Sequence, residues 1–392
     1  MKHVLLFTPP SSAIRDVIQM ASTWPRIGIA YIAGYLREKG IPVTVLDGKS
    51  LDLSPDEILQ EIVRQKPDIV AAGPFTEEIM RTYEVLRRTK EYDREIVTVL
   101  GGPHATAIPE RTLLESRDID IIVCGEGEET MGELASTEGK DSYGKINGIA
   151  YRHEGKIRKT APRPLIADID SLPYPAWDLF PLEVYRGRVT SGSQEKSRNP
   201  YFELPLLSAR GCPYQCNFCF KTFGNTLRNR DPLRVVDELE HNHNTYGITH
   251  TCFVEGTFAA DPSIAHIICD EIIRRGLHRK ITWLCETRID RVDEELLRKV
   301  KSAGCEEVDF GVESGDEEIL RRSKKGISIP EVKNTVRLAK KIGLKVACYF
   351  IIGHPFETRE SIRKTYRLAR ELDPDIISVG IMIPYPGTLL SR

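Results

Sequence analysis

Short apolar runs alternate with amphipathic stretches through the first part of the chain. "HVLLFTPP" (3–10) predicts a strand, and "GIAYIAGYLREKG" (28–40) a helix with Ile29, Ile32, Ala33 and Leu36 on one face. "PVTVLDG" (42–48) predicts a second strand and "PDEILQEIVRQ" a second helix. "DIVAAGPF" (68–75), "EIVTVLGGP" (95–103) and "DIIVCGEGE" (120–128) complete five strands. Strands separated by helices predict an α/β fold, with a doubly wound parallel sheet covered on both faces.

The predicted strands end alike: Pro9-Pro10, Asp47-Gly48, Gly73-Pro74-Phe75-Thr76, Gly101-Gly102-Pro103-His104 and Gly125-Glu126-Gly127-Glu128. Such residues turn the chain sharply and let a ligand approach backbone. Open parallel sheets bind ligands at the carboxyl edge of their strands, so five ends of this kind predict a ligand crevice. GxGxxG is missing after the first strand, as is GxxxxGK[ST], which disfavours a dinucleotide or P-loop site.

From about residue 140 the pattern changes. "NGIAYRHEGKIRKT" predicts a hairpin around Glu154-Gly155, followed by the proline-rich "APRPLIADIDSLPYPAWDLFP" and the polar loop "TSGSQEKSRNP" (190–200). Alternation resumes with "LPLLSARG" (204–211), "HTCFVEG" (250–256), "ITWLCETR" (281–288), "EEVDFGVES" (306–314), "KVACYFIIG" (345–353) and "IISVGIMIP" (376–384). Amphipathic helices such as "SIAHIICDEIIRRG" and "IPEVKNTVRLAKKIG" lie between them. Six strand–helix units predict a partial (β/α)6 TIM-like barrel. The expected division is 1–140 for the first domain, 141–200 for a connector and 201–392 for the barrel.

Composition narrows the class. The 392 residues carry a net charge of −2 with 29% charged residues, which gives no electrostatic case for nucleic acid or a membrane surface. No run approaches the roughly 20 apolar residues of a membrane span, and the opening apolar run is too short for a signal peptide. Nine cysteines without even spacing argue against a disulfide framework and for a reducing cytoplasm. Six of them are scattered, as small core residues are.

The other three form "CPYQCNFC", Cys212-x3-Cys216-x2-Cys219, just after the first strand of the second half. Barrel active sites occupy that position. Three soft thiolates suit an iron–sulfur cluster or zinc. Structural zinc wants four ligands, yet the next cysteine is Cys252, and His241 and His243 sit on a predicted helix. A 4Fe–4S cluster with three protein ligands leaves one iron open to a small molecule. A metal-free structural role is the third reading.

CxxxCxxC at the end of the first strand of a partial barrel, with Phe218 before the last cysteine, resembles the radical S-adenosylmethionine (radical SAM) superfamily. The resemblance implies that Cys212, Cys216 and Cys219 hold a 4Fe–4S cluster whose open iron chelates S-adenosylmethionine. It implies further that strand ends cradle this molecule: Glu255 in "FVEGTFAAD", Glu286 and Arg288 in "WLCETRID", Glu313 and Ser314 in "FGVESG", and Gly353 in "FIIGHPFET". A carboxylate suits an ammonium or ribose hydroxyls, and Arg288 suits a carboxylate. A mutual or structural ion pair is the alternative for Glu286 and Arg288. The family's commoner fifth-strand turn has a second glycine where this chain has Phe356, after His354.

"LLFTPP", "PRIGIAYIAGYLREKG", "VLGGPHAT" and "VCGEGEET" resemble the cobalamin-binding Rossmann-like domain that precedes a radical SAM barrel. The resemblance implies a corrin across the strand ends, between the domains, near Pro10, Thr76, Gly101, Gly102, His104, Gly125, Glu126 and Gly127. DxHxxG, whose histidine ligates cobalt from below in classical cobalamin enzymes, is missing, and radical SAM members commonly lack it. His104 is the one histidine at a ligand-edge turn, as a cobalt ligand, a hydrogen-bonding group or a structural residue.

The resemblance implies a cobalamin-dependent radical SAM enzyme methylating an unactivated carbon of a small molecule, with a reductase, flavodoxin or ferredoxin as electron donor. A cyclase, rearrangement or oxidation enzyme with the same cofactors is the alternative, and a non-catalytic cobalamin or metal-binding module a further one. The closing "PYPGTLLSR" follows directly on the sixth strand, where members usually continue into a region shaping the substrate pocket. A truncated or naturally short chain is expected, with substrate identity out of reach.

Overall fold

The computed structural model describes residues 2–10, 24–187 and 201–391, so the polar loop 190–200 lies outside the described residues. The chain divides into two compact units, Met1–Arg186 and Gly187–Arg392.

In the first unit the strands are β1 (Val4–Thr8), β2 (Val43–Asp47), β3 (Ile69–Ala72), β4 (Val97–Leu100), β5 (Ile121–Val123), β6 (Ile149–His153) and β7 (Lys156–Lys159). The helices are α1 (Ile27–Glu38), α2 (Pro55–Gln65), α3 (Ile79–Tyr92), α4 (Gly102–Ala107), α5 (Pro109–Glu115) and α6 (Glu128–Ser136). The sheet order is β2-β1-β3-β4-β5-β6-β7, parallel through β5 and antiparallel beyond. The order reverses at β1/β3, the switch point where such sheets open a crevice. Side chains alternate across the sheet: Leu5, Phe7, Val70 and Ala72 join a buried core with Ile58 and Ile62 of α2 and Val85 and Leu86 of α3. α1 packs on α6. Ser54 caps α2 reciprocally with Glu57, which fixes where that helix starts.

The expected boundary at residue 140 is corrected. The hairpin 149–159 extends the first sheet, because β6 pairs with β5, and the proline-rich stretch packs on α1. Ala176 N–H donates to the Ala30 carbonyl at 3.0 Å, and a Cβ on Gly34 would stand 2.6 Å from the Tyr174 carbonyl oxygen. Tyr185 OH then reaches the Asp47 carboxylate. Residues 141–186 therefore belong to the first unit.

The second unit has β8 (Glu203–Leu206), β9 (Ala209–Arg210), β10 (Arg228–Asn229), β11 (His250–Phe253), β12 (Thr282–Thr287), β13 (Cys305–Glu313), β14 (Lys345–Ile352) and β15 (Ile376–Ile381). Its helices are α7 (Pro232–Tyr246), α8 (Pro262–Arg274), α9 (Glu294–Ser302), α10 (Glu317–Arg322), α11 (Ile329–Ile342) and α12 (Arg359–Leu372). Six parallel strands run in the order β15-β14-β13-β12-β11-β8, a partial barrel whose two end strands do not pair. The predicted first strand breaks after Leu206, and Ala209–Arg210 instead pair antiparallel with β10. Outward-facing Phe253 and Trp283 pack with Phe258 at ring distances of 4.7–5.5 Å, and Trp283 Nε1 donates to the Ala303 carbonyl at 2.8 Å. Aspartates cap α7, α8, α9 and α10, so each helix starts at a defined point beyond a strand's carboxyl end.

Candidate active site

The cysteine loop springs from the β9–β10 ribbon. Gly211 starts it at φ +87°, and a Cβ there would overlap the Thr226 carbonyl oxygen, so only glycine fits. Backbone bonds hold the loop: Cys212 N–H to the Gly224 carbonyl at 3.2 Å, and Asn217 N–H to the Ser323 carbonyl at 3.0 Å. Asn217 Nδ2 adds a bond to the Arg322 carbonyl at 3.0 Å, tying the loop to the end of α10. Cys212 and Cys216 are half-buried and Cys219 is exposed, and all three are free thiols.

Two cations stand beside this loop. Arg288, just past β12, places Nη1 3.9 Å from Cys216 Sγ. Its other nitrogens bond Asp290, with Nε–Oδ1 at 2.8 Å, and its Nη2 donates to the Lys325 carbonyl at 2.6 Å. Its guanidinium lies 3.9 Å from the Tyr214 ring centroid. Of the alternative of a mutual or structural ion pair, Arg288 forms a structural one, with Asp290 rather than with Glu286. Lys325 Nζ meets Glu313 Oε1 at 2.6 Å, with both side chains 8% exposed. This pair sits on a bulge where the β13–β14 register shifts between Gly311 and Glu313, and Glu313 itself has φ +68°. A Cβ on Gly311 would stand 2.6 Å from both charged atoms, so that glycine makes room for the pair.

Burial pushes the Cys216 thiol up, while Lys325 and then Arg288 pull it back down. Cys219 is open to solvent on one side but otherwise walled by protein, and desolvation with its neighbouring cysteines pushes it up to about 11. Three carboxyl groups near the strand ends titrate near neutrality. Glu255, fully enclosed beyond β11, is pushed up to about 7 by burial against hydrogen bonds from the Ser208 hydroxyl and N–H. Glu286 is reachable by solvent, yet its protein-walled recess and the like charges of Asp309 and Glu313 push it up to about 7. Burial and Glu307 push Asp309 up to about 7, opposed by a 2.9 Å hydrogen bond from Tyr349 OH.

The remaining predicted residues divide. Phe218 lies edge-on to His354 at 6.0 Å, and burial holds the His354 imidazole below its usual range. Gly353, at φ +88°, is exposed and leaves backbone open at the β14 turn. Ser314 is fully buried: its Oγ meets Thr365 Oγ1 at 3.2 Å and accepts from Asp316 N–H at 3.2 Å, which joins this turn to α12. His241 and His243 are engaged on α7, His243 Nδ1 with the Ile248 carbonyl at 2.8 Å and His241 Nδ1 with Thr245 Oγ1 at 3.3 Å. Among the described residues, no three His, Cys, Asp or Glu side chains converge as ligands of one metal ion. Three soft thiols with two cations beside them suit a thiolate-held cluster.

Sequence reasoning missed Lys325, Asp290 and Tyr214. "RRSKKGIS" reads as a solvated basic run, and only burial distinguishes Lys325 from exposed Lys324.

In the first unit, Gly73 and Gly101 directly follow β3 and β4, and Gly125 lies two residues past β5. Gly102, at φ +77°, packs its backbone on Gly73, where a Cβ would come within 2.9 Å of the Gly73 carbonyl carbon. Gly101 N–H donates to the Ala72 carbonyl at 2.8 Å, and Gly125, at φ +82°, has open space where a Cβ would point. Pro10 is buried at the end of β1. Thr76 Oγ1 meets His104 Nδ1 at 3.1 Å. The His104 ring is buried, which lowers its basicity, and its Nε2 has no partner among the described residues. Glycines at these three turns let a ligand approach the backbone of the strand ends. Two predicted contacts point elsewhere. Glu126 accepts from Ile166 N–H at 2.8 Å, anchoring the proline-rich segment, and Gly127 makes room for Ile32, whose Cδ1 would lie 2.9 Å from a Cβ.

Comparison with known proteins finds a family match in each half of the chain. Residues 206–369 match the Radical SAM superfamily, and residues 16–135 match the B12 binding domain. The chain is 36% identical over its whole length to an uncharacterized methyltransferase, PH0819, of Pyrococcus horikoshii, and covers 82% of it. It is 33% identical over 94% of its length to the anaerobic magnesium-protoporphyrin IX monomethyl ester cyclase of Rubrivivax gelatinosus, covering 66% of that protein. The fold matches the radical S-adenosylmethionine methyltransferase TsrM of Kitasatospora setae, solved with cobalamin and a [4Fe–4S] cluster. That match has a TM-score of 0.78 at 20% identity, over all of this chain and 74% of TsrM. The chain belongs to the radical SAM enzymes that carry a cobalamin-binding domain. Its cofactors are a [4Fe–4S] cluster, S-adenosylmethionine and cobalamin. Among the described residues, no helix is long and apolar enough to cross a membrane.

Proposed function

We propose that the protein methylates an unactivated carbon of a small molecule. The observation that carries this reading is the joining, in one chain, of the three-thiol loop flanked by Arg288 and Glu313 to a glycine-edged B12-binding unit. Full-length likeness to a methyltransferase supports it. When bound, the cluster supplies the electron that cleaves S-adenosylmethionine to a 5′-deoxyadenosyl radical, and cobalamin supplies the methyl group.

Cys212, Cys216 and Cys219 hold the cluster. Arg288 binds the carboxylate of S-adenosylmethionine, and Glu313 takes its ammonium or ribose hydroxyls. Glu255 and Glu286 line the same strand ends, Gly353 lets the ligand approach backbone, and Phe218 walls the pocket beside His354. In the first unit Pro10, Thr76, Gly101, Gly102 and Gly125 border the corrin, and His104 hydrogen-bonds to it. Electrons come from a reductase, flavodoxin or ferredoxin in a reducing cytoplasm, where thiolate-held clusters persist.

Likeness to the cyclase favours a second reading, ring formation with the same cofactors. The test is anaerobic reconstitution with iron and sulfide, then S-adenosylmethionine and dithionite with and without hydroxocobalamin. Methyl transfer predicts 5′-deoxyadenosine and S-adenosylhomocysteine together, with corrin retained after desalting. 5′-Deoxyadenosine alone would favour the cyclase reading, and neither product would leave a binding module.

A further inference from the structure

Arg288 is held by more partners than an ion pair needs. The tight turn Ile289–Arg291 brings Asp290 back onto it, so that Nε donates to Oδ1 at 2.8 Å and Nη2 to Oδ2 at 3.2 Å. Nη2 donates again to the Lys325 carbonyl at 2.6 Å. A guanidinium carries five N–H groups in one rigid plane, and these contacts use three. The other two are on Nη1. Among the described residues no oxygen accepts from Nη1, and the atom it faces is Cys216 Sγ at 3.9 Å. Arg288 is 5% exposed, which leaves little room for water to take those hydrogens instead. The three hydrogen bonds fix one edge of the plane, and Tyr214 covers its face, with the ring centroid 3.9 Å from the guanidinium carbon. Tyr214 stands in the cysteine loop itself, between Cys212 and Cys216. Lys221 Nζ donates to its carbonyl, and Arg291 lies 5.4 Å from the same ring. The loop therefore carries its own support for the cation that faces its central cysteine.

We propose that Tyr214 is a positioning residue: it holds the plane of Arg288 so that Nη1 donates to the Cys216 sulfur, which makes the centre on Cys212, Cys216 and Cys219 easier to reduce. The inference rests on the cluster reading above. Adding an electron to a thiolate-held cluster places more negative charge on its sulfurs, and a hydrogen bond to a sulfur stabilises that state. Such a bond is directional, so its effect depends on where the guanidinium plane lies as well as on its charge. The Tyr214 ring carries no formal charge. A change of potential on altering the ring therefore reports the place of Arg288 rather than a change of charge beside the cluster.

The test is an EPR-monitored redox titration of the anaerobically reconstituted chain, without S-adenosylmethionine. The chains compared are wild type, Tyr214→Phe, Tyr214→Leu, Arg288→Met and the double Tyr214→Leu/Arg288→Met. Tyr214→Leu should disfavour reduction about fivefold, roughly 40 mV lower for one electron. Tyr214→Phe keeps the ring and should stay within about twofold of wild type in reduction equilibrium. Arg288→Met should fall at least as far as Tyr214→Leu. Adding Tyr214→Leu to it should lower the potential no further, because the ring then has no cation to hold. Mere loosening of the loop has the opposite sign, since water reaching the sulfurs stabilises the added charge and raises the potential. A Tyr214→Leu potential at or above that of wild type, a Tyr214→Phe shift as large as that of Tyr214→Leu, or additive shifts in the double variant would overturn the inference. Arg288→Met at the wild-type potential would overturn it alone, even where Tyr214→Leu loads no iron. A wild-type chain that forms no cluster would overturn the reading on which it rests.

Discussion

Gly211→Ala tests how the fold builds the cysteine loop. At φ +87° any other residue carries roughly 1 kcal/mol of backbone strain. The larger effect is steric. A Cβ would overlap the Thr226 carbonyl oxygen and stand 2.9 Å from its carbon and 3.3 Å from the Phe223 carbonyl oxygen. These are backbone atoms, so no rotamer relieves the clash. The chain must pull Arg210 away from Arg228 and stretch the bond from Cys212 N–H to the Gly224 carbonyl. Two weakened backbone hydrogen bonds cost about 1 kcal/mol each, which brings the total to about 3 kcal/mol. For a unit the size of Gly187–Arg392, that lowers Tm by roughly 6–12 °C. The assay is circular dichroism melting of the metal-free chain, with iron counted after anaerobic reconstitution. Gly343→Ala is the control, because Gly343 has φ +86° but nothing within 4 Å of a Cβ. The control should lose only about 1 kcal/mol and load iron normally. Gly211→Ala should lose most of its iron as well. A Gly211→Ala chain that loads iron like wild type, or one no less stable than the control, would refute the reasoning.

Glu255 should make stability fall as pH rises. Its carboxyl is raised to about 7 in the folded chain from an ordinary 4.5, so between those values the native state holds a proton the unfolded state has released. The loss is on the order of 3 kcal/mol across the interval, and Glu255→Gln should remove that part of the slope in denaturant melts at pH 5 and 8. Phe356, exposed at φ +70° beneath Arg322 at 4.5 Å, should accept glycine with a gain of up to about 1 kcal/mol, offset in part by the lost cation–ring contact. A Phe356→Gly chain that melts several degrees lower would contradict this. Glu126→Ala should lower the first unit's stability by about 1–3 kcal/mol, because it removes the carboxylate that accepts the Ile166 N–H, while corrin retention after desalting stays unchanged. Lost corrin at unchanged stability would return Glu126 to the ligand.

The alternation of strands and helices was readable because period-two and period-3.6 patterns survive in sequence, as did the three cysteines, whose spacing is their chemistry. Long-range partnership was not readable. Nothing in "NGIAYRHEGKIRKT" says that β6 pairs with β5, so the hairpin looked like a connector. Arg288 was readable at its strand end, but which carboxylate it pairs with was not. Asp290, two residues on, reaches it across a tight turn, whereas Glu286 stands beside Asp309 in the strand register. Ser314 and Glu126 carry polar atoms at ligand edges yet turn inward to backbone and hydroxyl partners. Sequence position specifies the strand end and leaves the direction of the side chain open. Lys325 was hidden in a basic run because burial is a property of the bulge at Gly311 and Glu313, which is set by pairing with β14.

Whether the three cysteines hold a cluster that cleaves S-adenosylmethionine is decided anaerobically on the chain, wild type against Cys216→Ala. Iron content and visible spectrum are recorded after reconstitution, and 5′-deoxyadenosine is quantified after adding S-adenosylmethionine and dithionite. Wild type should give a cluster spectrum and 5′-deoxyadenosine, and Cys216→Ala neither, with the melting temperatures of the metal-free chains nearly equal. A colourless wild-type chain holding one zinc, or product formation that survives Cys216→Ala, would contradict it.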